Sequence, residues 1–310
     1  MPRMWCTDPK KIAEKGDILI SVRAPIGAIN IANEQCCIGR GVAAIRPNAE
    51  LISKDFLRHQ LCASRNKLEA MGTGSTFKAI GKKALNDLAI AIYPKREQEA
   101  IACQFNWVAE QIKVANSQLA LLDTLVKSRF VEMFGEPTTR CGRWPLVRLD
   151  SFAQVVTGNT PSRKNPEYYG EGIEWVKTDN IVNSAITASA EQLTETGRAK
   201  ARIAPAGSIL MACIAGSVNS IGKVGLLDRE AAFNQQINAI VPSCGVNSRF
   251  LLTMLTLSKD YLCSDVNQQL KGILNKTALS AKQFPLPPFE LQQQFASFVA
   301  RVDKSGFVCH

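Results

Sequence analysis

Between residues 95 and 134, apolar or small side chains fall at Ile101, Phe105, Val108, Ile112, Ala115, Leu119, Leu122, Val126 and Met133, a 4,3,4,3 spacing broken only at Arg129. A seam sustained this long predicts a helix that seeks a partner helix. The stretch holds no Gly or Pro and stops at Phe134-Gly135-Glu136-Pro137, a punctuation suited to a helix end. At 1.5 Å per residue such a helix is about 60 Å long, more than a small domain is wide, which points to a spacer rather than one face of a single core.

On either side the pattern shortens. Residues 17–22, 41–45, 173–176, 208–211 and 237–241 read as strands, and 53–69 and 248–263 as helices, led by Ser53 and Ser248 as candidate caps. The predicted fold class is α+β: globules of mixed strands and short helices joined by a long coiled-coil spacer helix.

The two flanks repeat each other. Gly16-Asp17-Ile18-Leu19 matches Gly207-Ser208-Ile209-Leu210 at an offset of 191, and 42–47 matches 237–242 at 195. Phe56-Leu57, Lys82, Ala84, Leu85, Pro94, Gln98 and Phe105 meet Phe250-Leu251, Lys276, Ala278, Leu279, Pro288, Gln292 and Val299 at 194. A period this long means a duplicated domain, not a solenoid. The second copy runs from Trp144 to Pro288, whereas the first enters in mid-unit. A second helix with Leu291, Phe295, Phe298 and Val302 at 4,3,4 spacing is cut short near Ser305-Gly306. The reading is therefore a partial domain over 1–94, a spacer helix over 95–136, a complete domain over 144–288 and a truncated second helix over 289–310, a window on a longer two-repeat protein.

Composition narrows the class. A length of 310 residues fits about two domains, and 46% hydrophobic with 21% charged residues excludes disorder. No run approaches the roughly 18 apolar residues of a membrane span, and the start lacks a signal-peptide apolar core, so the expected location is cytoplasmic, with no membrane partner. The net charge of +10 divides as +6 over 1–94, +1 over 95–143 and +3 over 144–310, and the basic first part suggests a polyanion such as nucleic acid. Ten cysteines without a CxxC read as small core residues, and His59 with Cys62 lacks the second pair a zinc site needs.

Catalytic motifs are not found. Gly216 to Lys223 has one residue too many for a phosphate-binding GxxxxGK[ST] loop, Asn165-Pro166-Glu167-Tyr168 departs from an amino-methyltransferase loop, and Glu171, Glu174 and Asp179 fit no metal cluster. Binding signals are better. Thr157-Gly158-Asn159-Thr160-Pro161-Ser162-Arg163-Lys164 offers hydroxyls, amides and two cations to phosphates. Lys177-Thr178-Asp179-Asn180 offers donors and acceptors suited to base edges, and Gln235, Gln236, Gln268, Gln269 and Lys271 form amide-rich stretches suited to adenine.

The strings TGNTPSRKNPEYYGEGIEWVKTDNI, GDILISVRAPIGAI and MGTGSTFKAIGKKALNDLAIAIYPKREQEAI, the last leading into the heptad helix, resemble the specificity subunit of type I restriction-modification systems over nearly the whole chain. The resemblance implies two α+β target-recognition domains, each reading half of a split DNA sequence, separated by two long helices paired as an antiparallel coiled coil that sets their spacing. It places Thr160, Pro161 and Ser162 on the family's Thr-Pro-Ser loop and residues 16–27 on its Gly-Asp-Ile-Leu segment. Thr160, Ser162, Arg163, Lys164, Lys177, Asp179, Asn180, Asn219, Lys223, Gln235, Gln236, Gln268, Gln269 and Lys271, with Arg23 and Lys78 in the partial domain, are the expected DNA-binding set. The implied protein is a non-enzymatic adaptor with no cofactor or metal of its own. S-adenosylmethionine, ATP and magnesium belong to its methyltransferase and restriction partner subunits, and double-stranded DNA is its ligand. The alternative is a module that does not read DNA and dimerises or traps methyltransferase subunits through the seam Ile101, Phe105, Val108, Ile112, Leu119, Leu122 and Val126.

Overall fold

The computed structural model describes residues 7–73, 78–138, 143–182, 184–214, 220–264 and 273–307. The chain forms two compact units, 1–116 and 117–310, and the division falls inside the predicted long helix, which runs over Lys95–Phe134. Among the described residues, no helix is long and apolar enough to cross a membrane.

The first unit is built on an antiparallel three-stranded sheet in the order Ile29–Ile31, Ile18–Ser21, Val42–Ile45. Helices Lys54–Ala63, Arg65–Ala70 and Lys82–Asn86 follow. The predicted cap holds for the first, since the Ser53 hydroxyl accepts from the Phe56 amide at 3.3 Å. Two small clusters form the core: Ile18 with Phe56, Leu57, Leu61 and Ala102, and Ile20 with Ile26, Leu68 and Ile80.

The second unit is larger. Its main sheet has six strands in the order Ala153–Thr157, Ile237–Pro242, Ile209–Ala212, Val224–Leu226, Ser184–Ile186, Ile181–Val182. A four-stranded sheet orders Gln192–Leu193, Tyr169–Val176, Ala231–Phe233 and Ile203–Ala204. The run Ile209-Leu210-Met211-Ala212 is apolar at every position because both faces are covered. Ile209 and Met211 pack into the cluster that holds helix Ser248–Leu257, while Leu210 and Ala212 pack into one built on Val176 and Phe233. The cap of that helix differs from expectation: Asn247 accepts from the amides of Arg249 and Phe250, and the Ser248 hydroxyl donates to the Gly207 carbonyl at 2.7 Å.

The internal repeat is exact in register. Ile18 faces Ile45 and Ile31 across the first sheet, and Ile209 faces Ile240 and Leu226 in the second, at offsets of 191 and 195. The isolated pair Arg23 with Ala79 recurs as Ile214 with Ile273. A buried glutamine is repeated with its bonds. Gln98 accepts from the Ser53 amide at 2.8 Å and donates to the Leu51 and Tyr93 carbonyls, and Gln292 accepts from the Asn247 amide at 2.9 Å and donates to the Pro287 carbonyl.

The seam behaves differently along its length. In the first unit Ile101 borders the core, Phe105 lies beside the His59 ring at 5.2 Å, and Val108 and Ile112 are exposed. In the second unit Leu119 is exposed, Leu122 is half-buried, Val126 borders the core, and the fully buried positions are Phe130 and Phe134. The predicted row through Arg129 and Met133 thus shifts by one residue. The reason is a cluster of rings: Phe130 lies 5.0 Å from Phe134, 5.5 Å from Phe250 and 5.4 Å from Phe295 of the helix Phe289–Phe307. The cysteines also correct the expectation of core residues. Of those described, Cys213 alone is buried, its thiol pushed up to about 12 by burial, while Cys37, Cys62, Cys103 and Cys244 are exposed.

Candidate nucleic-acid interface

In the second unit the loop after strand Ala153–Thr157 is held by its backbone and by one amide side chain. The Gly158 amide donates to the Ile237 carbonyl at 3.0 Å and the Asn159 amide to the Phe233 carbonyl at 3.1 Å. A Cβ at Gly158 sits 2.2 Å from the Asn234 carbonyl oxygen, so only glycine fits this approach. Asn159 Nδ2 donates to the Lys200 carbonyl, its Oδ1 accepts from the Arg202 amide, both at 2.7 Å, and its carbonyl accepts from Trp175 Nε1. Loops 157–164, 199–202 and 234–236 are therefore tied into one surface beside the end of strand Tyr169–Val176.

On this surface the expected residues divide. The Thr160 hydroxyl donates to Gln235 Oε1, which joins two segments far apart in sequence. The Ser162 hydroxyl accepts from the Lys164 amide at 3.4 Å, and the Lys164 side chain is exposed. Asp179 is exposed. Asn180, half-buried, accepts from the Lys177 amide at 2.9 Å and donates to the Ala188 carbonyl at 3.1 Å. Gln236 accepts from Asn234 Nδ2 at 3.1 Å. Lys223 is exposed beside strand Val224–Leu226, with no bond to the loop cluster. Asn219, Gln268, Gln269 and Lys271 lie outside the described residues. Arg23 and Lys78 are exposed neighbours in the first unit, through the bridge of Arg23 with Ala79.

Five participants escaped the sequence. Glu191 receives hydrogen bonds from Lys177 and Arg163, the latter at 2.5 Å, and these, Lys177 first, hold its carboxyl below the usual carboxylate range. The Arg163 guanidinium also lies over the Tyr169 ring at 4.1 Å and the Trp175 ring at 5.0 Å. Glu191 stands on a loop with no local signal. Tyr169 and Trp175 share parity on one strand, and that alternation was the available clue. Lys200 and Arg202 are exposed and make no ion pair among the described residues. The Asn159 amide ties their backbone to the Thr-Pro-Ser loop.

The architecture, two α+β units that share strand registers and flank a long helix, defines a class before any relative is considered: a duplicated α+β scaffold. The chain matches the family described as type I restriction modification DNA specificity domain over residues 7–120 and 142–307, and it belongs to that family. It is 39% identical over 117 residues to a Methanocaldococcus jannaschii protein named as the MjaX specificity subunit of a type I restriction enzyme, covering 38% of this chain and 28% of that protein. It is 31% identical over 115 residues to the type I restriction enzyme HindI specificity subunit of Haemophilus influenzae, covering 36% of this chain and 24% of that one. The matched stretches thus span less than a third of either curated relative. The crystal structure of the type I restriction-modification system S subunit from M. genitalium shares the fold, with a TM-score of 0.58 at 15% identity, over 96% of this chain and 78% of that one.

Proposed function

We propose that the chain reads part of a bipartite double-stranded DNA target for a type I restriction-modification complex and docks its methyltransferase and restriction subunits. In this reading it does no chemistry itself, and S-adenosylmethionine, ATP and magnesium are held by the partners. The observation that carries it is the bonded loop surface of the second unit, where Asn159 gathers the exposed cations Lys200 and Arg202 beside the Thr160–Lys164 loop. Cations at such a rim hold phosphates and fix register, while the polar groups between them face bases. The test is a selection from a randomised duplex library with the full chain, alone and with methyltransferase subunits. Enrichment of a motif supports the reading, and equal affinity for random and selected duplexes overturns it. Lys164→Ala and Lys200→Ala are each expected to weaken all sequences alike and to lower the salt slope by about one.

A second reading is favoured by a different observation. Val108, Ile112 and Leu119 leave the middle of the seam exposed, which suits a module that pairs with a second copy or with a methyltransferase subunit without reading DNA. Light scattering of the full chain separates these cases: a monomer at micromolar concentration excludes self-pairing.

A further inference from the structure

We propose that Arg163 reads a guanine edge rather than a phosphate, and that Glu191 is the residue that positions it. This rests on the reading of the second unit as a DNA-recognition surface. A phosphate-holding cation needs charge and reach but no fixed plane, and exposed Lys164 next in the chain meets that need. Arg163 is held quite differently. Its guanidinium carbon lies over the Tyr169 ring at 4.1 Å and the Trp175 ring at 5.0 Å, its Nη2 donates to Glu191 at 2.5 Å, and its side chain is still 54% exposed. Two aromatic rings and a carboxylate together hold the guanidinium in place while leaving it open to solvent. Of its five N–H groups, four have no protein partner among the described residues. A planar fork fixed in this way matches the O6 and N7 acceptors that guanine presents in the major groove.

The local charge supports the same assignment. Arg163 and Lys177 share the one Glu191 carboxylate, which the two hydrogen bonds keep ionised at neutral pH, so the triad carries a single net positive charge. Phosphate attraction at this point is weakened, and what remains is geometry. Lys177, over the Trp175 ring at 5.1 Å, completes the frame from the other side. The adjoining cleft, about 450 Å³ and lined by Arg163, Tyr169, Gly170 and Gln192 among others, leaves room beside the guanidinium for a base edge.

The experiment is the randomised duplex selection described above, applied to the wild type, Arg163→Lys and Glu191→Gln, with affinities measured on the wild-type motif and its single-base variants over a range of salt. Wild type is expected to require guanine at one position. Arg163→Lys is expected to lose that preference by about tenfold or more while keeping the other positions and the salt slope. Glu191→Gln retains the size of the side chain and releases both cations. It is expected to relax the same position while overall affinity holds or rises, an outcome that a merely structural role does not produce. If Arg163→Lys weakens every sequence alike and leaves the guanine preference intact, Arg163 is a phosphate contact and the inference is overturned. If both variants keep the wild-type motif unchanged, Arg163 only braces the loop and the inference is again overturned. If wild type enriches no motif, the DNA-recognition reading itself fails, which is a distinct result.

Discussion

The strand Val42–Ile45 in the first unit carries four half-buried side chains, whereas its counterpart in the second, Ile237–Pro242, begins with four fully buried ones. The sequence alternates in much the same way in both, and the register against the preceding strand is the same. The difference is one neighbour. Ile237–Pro242 is also paired, from Asn238 with Thr157 to Pro242 with Ala153, and Val42–Ile45 has no such partner among the described residues. A repeated sequence preserves a strand's pairing on the side it carries, and burial waits on what covers the other side.

Paired substitutions mark where the two units have diverged. Asp17 accepts two hydrogen bonds from Arg46, each at 2.8 Å; at the matching positions the second unit has Ser208 and Val241. The Gln60 amide bonds both the N–H and the C=O of Ala91, in a stretch that is not a strand. The second unit has buried Met254 and Pro285 there, and Pro285 has no N–H to satisfy and lies in the strand Gln283–Pro285 paired with Leu146–Arg148. Each copy thus satisfies its backbone by its own means, a strand in one and a side-chain amide in the other.

The contrast can be broken most sharply at the core. Phe250→Ala removes a ring from the four-ring cluster and is expected to cost about 4–5 kcal/mol. The matching Phe56→Ala, in the smaller core, is expected near 3 kcal/mol, the lower end for such changes. Urea unfolding of the full chain measures both, and equal costs would show that the first unit packs as tightly as the second. Next come the repeated glutamines. Gln98→Leu and Gln292→Leu each strand buried backbone groups and are expected to cost about 1–3 kcal/mol, with Gln98 the larger because it makes three bonds to Gln292's two.

Acid sharpens the charged pair. The hydrogen bonds from Arg46 hold the Asp17 carboxyl below its ordinary value. A carboxylate lowered by folding contributes stability above its unfolded pKa, near about 4, and loses it as pH falls through the lowered folded value. Glu191 has the same sign in the second unit. The double variant Asp17→Ser, Arg46→Val imports the second unit's pair, and its thermal midpoint is expected to vary less than wild type's below about pH 4. The smallest effect is expected at Ser208, whose buried hydroxyl has no partner among the described residues. Ser208→Ala is expected to leave the midpoint unchanged or raise stability by up to about 1 kcal/mol, read by the same melt.

Much of this fold was legible in the sequence. The five predicted strands and the long helix are present, because apolar alternation and an unbroken seam are local signals. The offsets of 191 and 195 proved to be strand registers. The site was less legible. The loop 157–164 and the amide pair at 235–236 stand out in the sequence as polar stretches, yet Asn180 and Gln236 are bonded to neighbouring groups, and Glu191, Lys200 and Arg202 join the surface through bonds across 14 to 43 residues.

By itself the sequence determined the duplication, the alternating strands, the long helix and the family to which these belong, since each is written in the spacing of neighbouring residues. Tertiary structure alone decided which row of the long helix is buried and which polar side chains remain for a ligand. The row shifted to Phe130 and Phe134 because rings from Phe250 and Phe295 meet there, and Arg163 is held in place because Tyr169, Trp175 and Glu191 converge on it. Both outcomes depend on partners distant in the chain, and a hydrogen bond or ring contact between such partners leaves no periodic trace in either segment.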